Sequence, residues 1–235
     1  LTLADAETYY FTVYATSGIG TNSTSVTSNG ITIDKLTPTV NSVTDEGDYT
    51  NRANALAVTV NATAGASGIQ NYIYKIGSTP GGNNILDNFT STKNVLTLSG
   101  INMANATTYY VTVTVKNGLG ILSVPVTSNG IIVDTNKPII TSVEDGGEFA
   151  TTATELSVTI NVDSASIASA NIDYYTYSIT AVDGSAVTSN VTTTANAFTV
   201  SGLNLTNGAE YYFTVTATAL RGLTAASPTL TLDII

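Results

Sequence analysis

The chain of 235 residues contains no cysteine, no histidine and no tryptophan. Without cysteine it forms neither disulfides nor thiolate–metal centres, and the redox compartment stays open. Without histidine it lacks the commonest general base and every Ser-His-Asp or Cys-His arrangement. A carboxylate pair of the glycosidase kind is the catalytic option that remains, but the acidic residues fall in predicted turns and linkers. We therefore expect a protein that is not an enzyme.

Charged residues are also scarce. They make up 10% of the chain, against roughly 25% in ordinary globular domains, and 17 acidic against 7 basic residues give a net charge of −10. Such a surface repels polyanions, so nucleic acid is not an expected partner. No apolar run approaches the roughly 18 residues that cross a bilayer, so we expect no membrane insertion within this segment.

An internal repeat organises the chain. Residues 9–13 (YYFTV) recur as residues 109–113 (YYVTV) and again as residues 211–215 (YYFTV), and residues 27–30 (TSNG) recur as residues 127–130. A period of about 100 residues matches one small β-sandwich domain and is too long for a solenoid unit. We expect two complete units, residues 35–134 and 135–235. Residues 1–34 are predicted to be the C-terminal half, strands F and G, of an incomplete unit.

The local pattern predicts strands throughout. Apolar residues alternate with small or polar ones along 56–60, 72–76, 156–160 and 175–179, which is typical of half-buried strands. Asn-Gly and Asp-Gly pairs separate these runs, and no stretch favours a helix. Asn129-Gly130 is predicted to mark a bulge in the last strand of its unit. The fold class is therefore all-β, with tandem Greek-key β-sandwiches. The linkers at 34–38 and 134–138 are short and each holds a proline, which predicts an end-to-end rod.

One spacing resembles a known family. An apolar residue stands six residues before the first Tyr of each YY pair: Leu3 before Tyr9, Met103 before Tyr109 and Leu205 before Tyr211. In this respect the chain resembles fibronectin type III and related immunoglobulin-like modules, and specifically the tandem repeats of prokaryotic surface-layer, sheath, filament or adhesin proteins. The resemblance implies that Tyr9, Tyr109 and Tyr211 form structural tyrosine corners, with the hydroxyl bonded to backbone.

The second Tyr of each pair is expected to face outward. Tyr10, Tyr110 and Tyr212 occupy this repeated position. Rigid exposed aromatic rings favour contacts with proteins or sugars. The alternative is cross-strand pairing on a sheet face.

The acidic residues suggest a metal site. Asp45, Glu46 and Asp48 fall in the predicted A–B loop, which lies at the same end of a Greek-key unit as Asp134 in the following linker. Asp163 in the next B–C loop is expected to face the same junction. Converging carboxylates repel one another unless a cation binds them, and Ca²⁺ takes 6–8 oxygen ligands. Our hypothesis is Ca²⁺ at the domain junction, and the alternative is solvated acids in turns.

Glycosylation is a further hypothesis. Asn-X-Ser/Thr sequons occur at Asn22, Asn61, Asn88, Asn105, Asn190 and Asn204. A chain so rich in Asn, Ser and Thr contains about this number by chance, so the count does not indicate selection.

Together these features favour a non-catalytic structural segment of a secreted prokaryotic cell-surface assembly, such as a surface layer, sheath or filament. The alternative is an adhesin stalk, or a carbohydrate-binding or accessory module of a large exported enzyme. The expected location is extracellular, and the expected partner is protein: copies of the chain itself or the rest of a longer chain.

Residues 1–34 leave three explanations open, because the apolar face of two strands cannot be buried without partner strands. They could belong to a longer chain, be completed by strands of a neighbouring subunit, or begin at a misplaced boundary.

Overall fold

The structure, a computed structural model, describes residues 1–145, 149–150, 152–163, 172–219, 224–226 and 230–234. Within these ranges the chain forms strands and turns and no helix. The strands are β1 (Thr8–Tyr9), β2 (Thr12–Val13), β3 (Val26–Thr27), β4 (Ile31–Thr32), β5 (Thr39–Thr44), β6 (Tyr49–Thr50), β7 (Ala55–Thr63), β8 (Ile69–Gly77), β9 (Leu86–Ser91), β10 (Val95–Ser99), β11 (Thr107–Asn117), β12 (Val126–Thr127), β13 (Ile131–Val133), β14 (Ile140–Glu144), β15 (Phe149–Ala150), β16 (Glu155–Val162), β17 (Ile172–Ala181), β18 (Ala186–Thr193), β19 (Ala197–Ser201), β20 (Glu210–Ala219), β21 (Thr224–Ala226) and β22 (Leu230–Ile234).

The chain divides into two compact units. The first comprises Leu1–Gly47, Asn54–Asn102 and Thr108–Ile131, and the second comprises Asp48–Ala53, Met103–Thr107 and Ile132–Ile235. The hydrogen-bonded sheets follow the sequence repeat, and each is described below by itself.

The strands between Thr39 and Val133 form two sheets. One has the order β10-β7-β5, and the other has the order β6-β13-β11-β8-β9, with β12 also paired to β11. Neighbours in each sheet are mostly not consecutive in sequence, as in a Greek key. β6 pairs with β13 in parallel, and there Ile132 N donates to Asp48 O at 2.9 Å, whereas the pairs β5–β7, β7–β10, β8–β9, β8–β11 and β11–β12 are antiparallel.

The strands between Ile140 and Ile234 repeat this topology. The smaller sheet has the order β14-β16-β19, and the larger has the order β15-β22-β20-β17-β18, with β21 paired to β20. The parallel pair recurs as β15 with β22. The predicted strand alternation is thus realised in both copies as the B, C, E and F strands, which are β7, β8, β10 and β11 in the first and β16, β17, β19 and β20 in the second.

Residues 1–34 form two small antiparallel sheets, β1 with β4 and β2 with β3. By the sequence repeat, these strands are the equivalents of β11, β12 and β13. Their side chains are nevertheless mostly exposed.

The core of the sandwich between β5 and β13 comes from alternate residues of facing strands. Successive strand residues point to opposite faces, so every second residue of β7, β8 and β11 is buried. These residues are Leu56, Val58, Val60, Tyr72, Tyr74, Ile76, Tyr109, Val111, Val113 and Val115. Tyr74 is fully buried, and its hydroxyl donates to Lys93 O at 2.7 Å. Burial raises the pKa of Tyr74, so the phenol stays protonated and the hydrogen bond persists.

The last strand of this sandwich is interrupted between β12 and β13, at the predicted Asn129-Gly130 step. Gly130 has a φ of +94°, and a Cβ placed there would lie 2.6 Å from Tyr110 Cε1. Gly30 has a φ of +86°, and a Cβ placed there would lie 2.7 Å from Tyr10 Cε1. The outward tyrosine therefore covers the glycine of the neighbouring strand, and the position needs glycine both for its backbone and for the space that the ring occupies.

Comparing two glycine-to-alanine substitutions separates the cost of the backbone conformation from the cost of the contact with the ring. Gly100 in the same sandwich also has a positive φ, +74°, but has nothing within 4 Å of an added Cβ. We expect Gly100→Ala to cost about 1 kcal/mol of unfolding free energy from backbone strain. Gly130→Ala should cost about 1–3 kcal/mol more, because the Tyr110 ring must move. Urea unfolding of both variants measures the difference, and equal losses would contradict the ring contact.

Candidate functional site

The corner tyrosines Tyr9 and Tyr211 accept hydrogen bonds from the backbone. Tyr9 Oη accepts from Ala4 N at 2.8 Å, and Tyr211 Oη accepts from Thr206 N at 2.9 Å. Tyr109 is 3% exposed and Tyr211 is 5% exposed. In each bonded pair the acceptor is the phenol oxygen and the donor lies five residues earlier, so the ring fixes the chain where it enters strand F.

The outward tyrosines are less free than a binding surface requires. Tyr10 is 63% exposed, but Tyr110 and Tyr212 are half-buried. The Tyr110 ring lies against Gly130, in the contact described above. This packing accounts for the repeated Tyr without a ligand at the first two copies.

Four of the five acids of the calcium hypothesis make the following contacts. Glu46 Oε1 accepts from Ala57 N at 2.6 Å. The contacts given for Asp48 and Asp163 are made by the backbone: the Asp48 carbonyl accepts from Ile132 N at 2.9 Å, and Asp163 N donates to Ile139 O at 2.9 Å. Asp134 is 3% exposed, and its Oδ1 accepts from Asn136 N at 3.0 Å. In the described part of the chain no three acidic side chains form a group able to hold a metal ion.

Asp45 is the exception among these acids. It is 9% exposed, its Oδ1 accepts from Gly47 N at 3.3 Å, and its Oδ2 is buried with no hydrogen-bond partner among the described residues. A buried carboxylate oxygen without a donor is what a cation would satisfy. The calcium site therefore stays a prediction, for which titration calorimetry with Ca²⁺ is the direct measurement.

A linker contact that the sequence did not reveal joins Asp34 to the B–C loop of the following repeat. Asp34 Oδ2 accepts from Ser67 N at 2.9 Å and from Ser67 Oγ, while Oδ1 accepts from Leu36 N at 3.0 Å. A Cβ on Gly65 would lie 2.0 Å from Asp34 Oδ1, so only glycine leaves room for the carboxylate. Asp34 opens the predicted linker 34–38, but nothing in the sequence indicated Ser67 as its partner.

The linker is held at a second point. Lys35 N donates to Asp5 Oδ1 at 2.6 Å, and Lys35 Nζ donates to Leu3 O. Pro38, at the end of the linker, is buried. Residues 34–38 are therefore bonded to the segment before them and to the loop after them.

All six sequon asparagines are exposed. Asn88 and Asn190 occupy corresponding places in β9 and β18, and both have a φ of +51° beside a register irregularity of the neighbouring strand. Asn tolerates this left-handed conformation better than most residues, which is a structural reason for its presence at both sites. Glycosylation stays a prediction.

In the described part of the chain, the surface includes the following shallow grooves. One of about 570 Å³ is lined by Tyr174 and Thr192–Thr194, and one of about 330 Å³ is lined by polar residues around Asn71 and Lys116. A third, of about 540 Å³, is the most apolar and lies on the N-terminal strands, lined by Leu1, Leu3, Tyr9, Phe11 and Ile31 among others. None of the described residues forms a helix of the length and apolarity needed to cross a membrane.

Comparison with solved structures agrees with this architecture. The crystal structure of the chicken CNTN1 FN1–FN3 domains superimposes with a TM-score of 0.50, at 17% identity, over 98% of this chain and 76% of that chain. The fold is fibronectin type III-like. The fibronectin(III)-like modules of Clostridium thermocellum CbhA match with a TM-score of 0.42, at 12% identity, over 83% of this chain and 93% of that chain. No protein-family model and no curated protein matches the sequence.

The tyrosine corner of the second fibronectin type III-like sandwich can be tested with a neighbouring control. Tyr211→Phe removes the acceptor of Thr206 N and should lower the unfolding free energy by about 1 kcal/mol. Tyr212→Phe removes the hydroxyl of the adjacent, half-buried ring and should change the unfolding free energy by less than about 0.5 kcal/mol. Chemical denaturation measures both, and a Tyr212 effect as large as the Tyr211 effect would count against the corner.

The linker contact predicts a pH dependence. The hydrogen bond from Ser67 Oγ, then those from Ser67 N and Leu36 N, hold the pKa of Asp34 below its ordinary value of 3.8. A depressed pKa means that the ionised form is favoured in the folded state. The contact is thus fully formed above pH 3.8 and weakens as the pH falls through the lower, folded-state value. NMR titration of the Asp34 carboxyl carbon should show this lowered pKa.

Asp34→Ala provides the matched comparison for this titration. The variant should speed amide exchange of Ser67 and Leu36 at neutral pH, because both lose their acceptor. An ordinary Asp34 pKa together with unchanged exchange in the variant would show that the contact does not form in solution.

Proposed function

We propose that the chain is a non-catalytic structural segment of a secreted prokaryotic cell-surface assembly, such as a surface layer, sheath or filament. Its partner is protein, either copies of the chain or the rest of a longer chain. The observation that carries this proposal is the bonded linker between residues 34 and 38. Flexible display modules are joined by Gly/Ser-rich segments that sample many lengths, whereas this linker is fixed by Asp34, Lys35 and Pro38.

The composition supports the same proposal. A surface of Thr, Ser and Asn with 10% charged residues offers hydroxyl and amide groups for hydrogen bonding but little charge for steering a ligand. Proteins that hold a fixed distance or build a lattice need a stiff, inert module, and a β-sandwich with a packed core can supply one.

Labelling of intact cells of the source organism tests the location and the assembly. Antibodies against the chain should label the outer surface before lysis, and electron micrographs of that surface should show the chain in an ordered array. A cytoplasmic protein serves as the control for leakage. Label that appears only after lysis would contradict the proposal, and surface label without order would favour the stalk or accessory module.

The groove beside Tyr174 supports the second candidate, a carbohydrate-binding or accessory module. Tyr174 is 37% exposed and lies next to the hydroxyl-bearing run Thr192–Thr194. An aromatic face with neighbouring hydroxyl groups is a common way to bind a sugar ring. Glycan-array binding that Tyr174→Ala abolishes, and that Tyr10→Ala leaves intact, would favour this candidate.

A further inference from the structure

One sequon stands at the same place in both complete copies. Asn88-Phe89-Thr90 lies in β9, and Asn190-Val191-Thr192 lies in β18. The sheet register makes the two equivalent, because Phe89 pairs with Tyr74 and Val191 pairs with Tyr177. These two tyrosines of the C strands in turn pair with the last valine of the repeated YY motif in each copy. The other four sequons do not recur at the corresponding place of another copy. Position therefore singles out two of the six sequons, which their number alone does not.

The two strands have diverged around this sequon. In the register of the sheets, residues 86–91 (LDNFTS) align with residues 188–193 (TSNVTT), and they share only the Asn and the Thr of the sequon. The φ of +51° at both Asn positions favours Asn, but it does not require a hydroxyl group two residues later.

The hydroxyl groups of Thr90 and Thr192 are not explained by the fold. No described residue forms a hydrogen bond with either hydroxyl. The β propensity of Thr is shared by Val and Ile, which carry no hydroxyl. Within the described part of the chain the fold thus accounts for the Asn and not for the Thr hydroxyl, whereas an N-glycosylation sequon requires both.

Both sequons are accessible to an enzyme. All three residues of each are exposed, and the middle residues Phe89 and Val191 are 42% and 37% exposed. Neither Asn carboxamide is hydrogen-bonded to a described residue. Each Asn also lies beside a register irregularity of the neighbouring strand, so the regular ladder is interrupted there.

The remaining sequons are engaged by the fold or partly covered. Asn105 Oδ1 accepts from Thr135 N at 2.8 Å, and its Nδ2, the atom to which a glycan is attached, donates to a neighbouring amide oxygen at 3.1 Å. The carboxamide oxygens of Asn22 and Asn61 each accept a hydrogen bond. The residue after Asn204 is a core leucine, 5% exposed.

The two recurring sequons lie on the last strands of their sheets. β9 ends the order β6-β13-β11-β8-β9, and β18 ends the order β15-β22-β20-β17-β18. The outer edge of such a strand presents N–H and C=O groups that can pair with another chain, and proteins protect it with charge, proline, a bulge or a cover. β18 has 8 residues without a charge or a proline. The single charge of β9, Asp87, lies 3.9 Å from Lys75. A bulky, hydrated glycan at each Asn would cover both edges.

We propose that Asn88 and Asn190 carry N-linked glycans that cover the outer edges of β9 and β18. The proposal rests on the exported location of the proposed function, since sequons are acceptors in secreted proteins. The co-substrate is an oligosaccharide linked through phosphate to a lipid carrier. Asn Nδ2 bonds to the anomeric carbon, the bond from that carbon to the phosphate oxygen breaks, and the amide proton passes to the carrier phosphate.

Glycopeptide mass spectrometry of the full protein purified from the source organism tests the proposal. Peptides that contain Asn88 and Asn190 should carry the same added glycan mass, and the peptide that contains Asn105 should be unmodified. Protein found on the cell surface with Asn88 and Asn190 unmodified would overturn the proposal and leave the proposed function in place. Protein found only inside the cell would contradict the proposed function, and unmodified sequons there would overturn both.

Thr90 offers a matched pair of variants for expression in the source organism. Thr90→Ser keeps the sequon and should keep the glycan at Asn88. Thr90→Val keeps the branched shape without the hydroxyl, and should lose that glycan while Asn190 keeps its own. Both variants made in a host without N-glycosylation should melt at the same temperature, because the Thr90 side chain is exposed. The same pair at Thr192 repeats the test in the other copy, and a glycan on Asn88 that survives Thr90→Val would overturn the proposal.

The covering role has its own measurement. Chain made without glycans should aggregate more during refolding than the glycosylated chain at the same concentration. Val191→Lys, which places a charge on the edge of β18, should reduce that aggregation. Val124→Lys is the control, because Val124 is 78% exposed and lies outside the strands. Equal recovery of the glycosylated and unglycosylated chains would overturn the covering role.

Discussion

The inward face of the F and G strands must be covered, and the rest of this structure depends on that constraint. Val111, Val113 and Ile131 are removed from water because the facing sheet lies over them and the C strand lies beside strand F in their own sheet. A two-stranded hairpin is marginally stable by itself, since one of its faces stays wet. The repeat length follows from the same requirement, because about 100 residues are needed to make both layers of one sandwich.

Polar interactions add to this burial and determine where the chain enters and leaves each layer. Tyr211 holds the start of strand F through Thr206 N, and Asp34 holds the linker through Ser67. Both use a side-chain oxygen to satisfy a backbone N–H that no strand partner reaches. In a chain with so few charges, hydroxyl, amide and isolated carboxylate groups perform the structural role that ion pairs perform elsewhere. Both oxygens of the Asp34 carboxylate accept hydrogen bonds from nearby donors.

Much of the fold was predictable because strand alternation is local. The apolar residues of 56–60 and 72–76 lie inward as the sequence indicates, and the Asn129-Gly130 step interrupts the last strand. The contacts that the sequence did not reveal join distant residues: Asp34 with Ser67, and Tyr110 with Gly130. A repeated Tyr and a repeated Gly at the same period were the available signal for the second pair. The converging carboxylates were argued from loop placement alone, which does not determine where each side chain finds its donors.

Repeats with the same strands are not interchangeable inside. In one core Phe213 stacks on Tyr177, which also contacts Phe198, whereas Val111 and Leu96 hold the places of Phe213 and Phe198 in the other. Because interiors are close-packed, a half taken from one solution leaves a void or a clash against a half taken from the other. A difference in core volume therefore disfavours pairing of the A–E half of one copy with the F–G half of the other. In a chain built of similar repeats such a mismatch opposes misassembly between copies during folding.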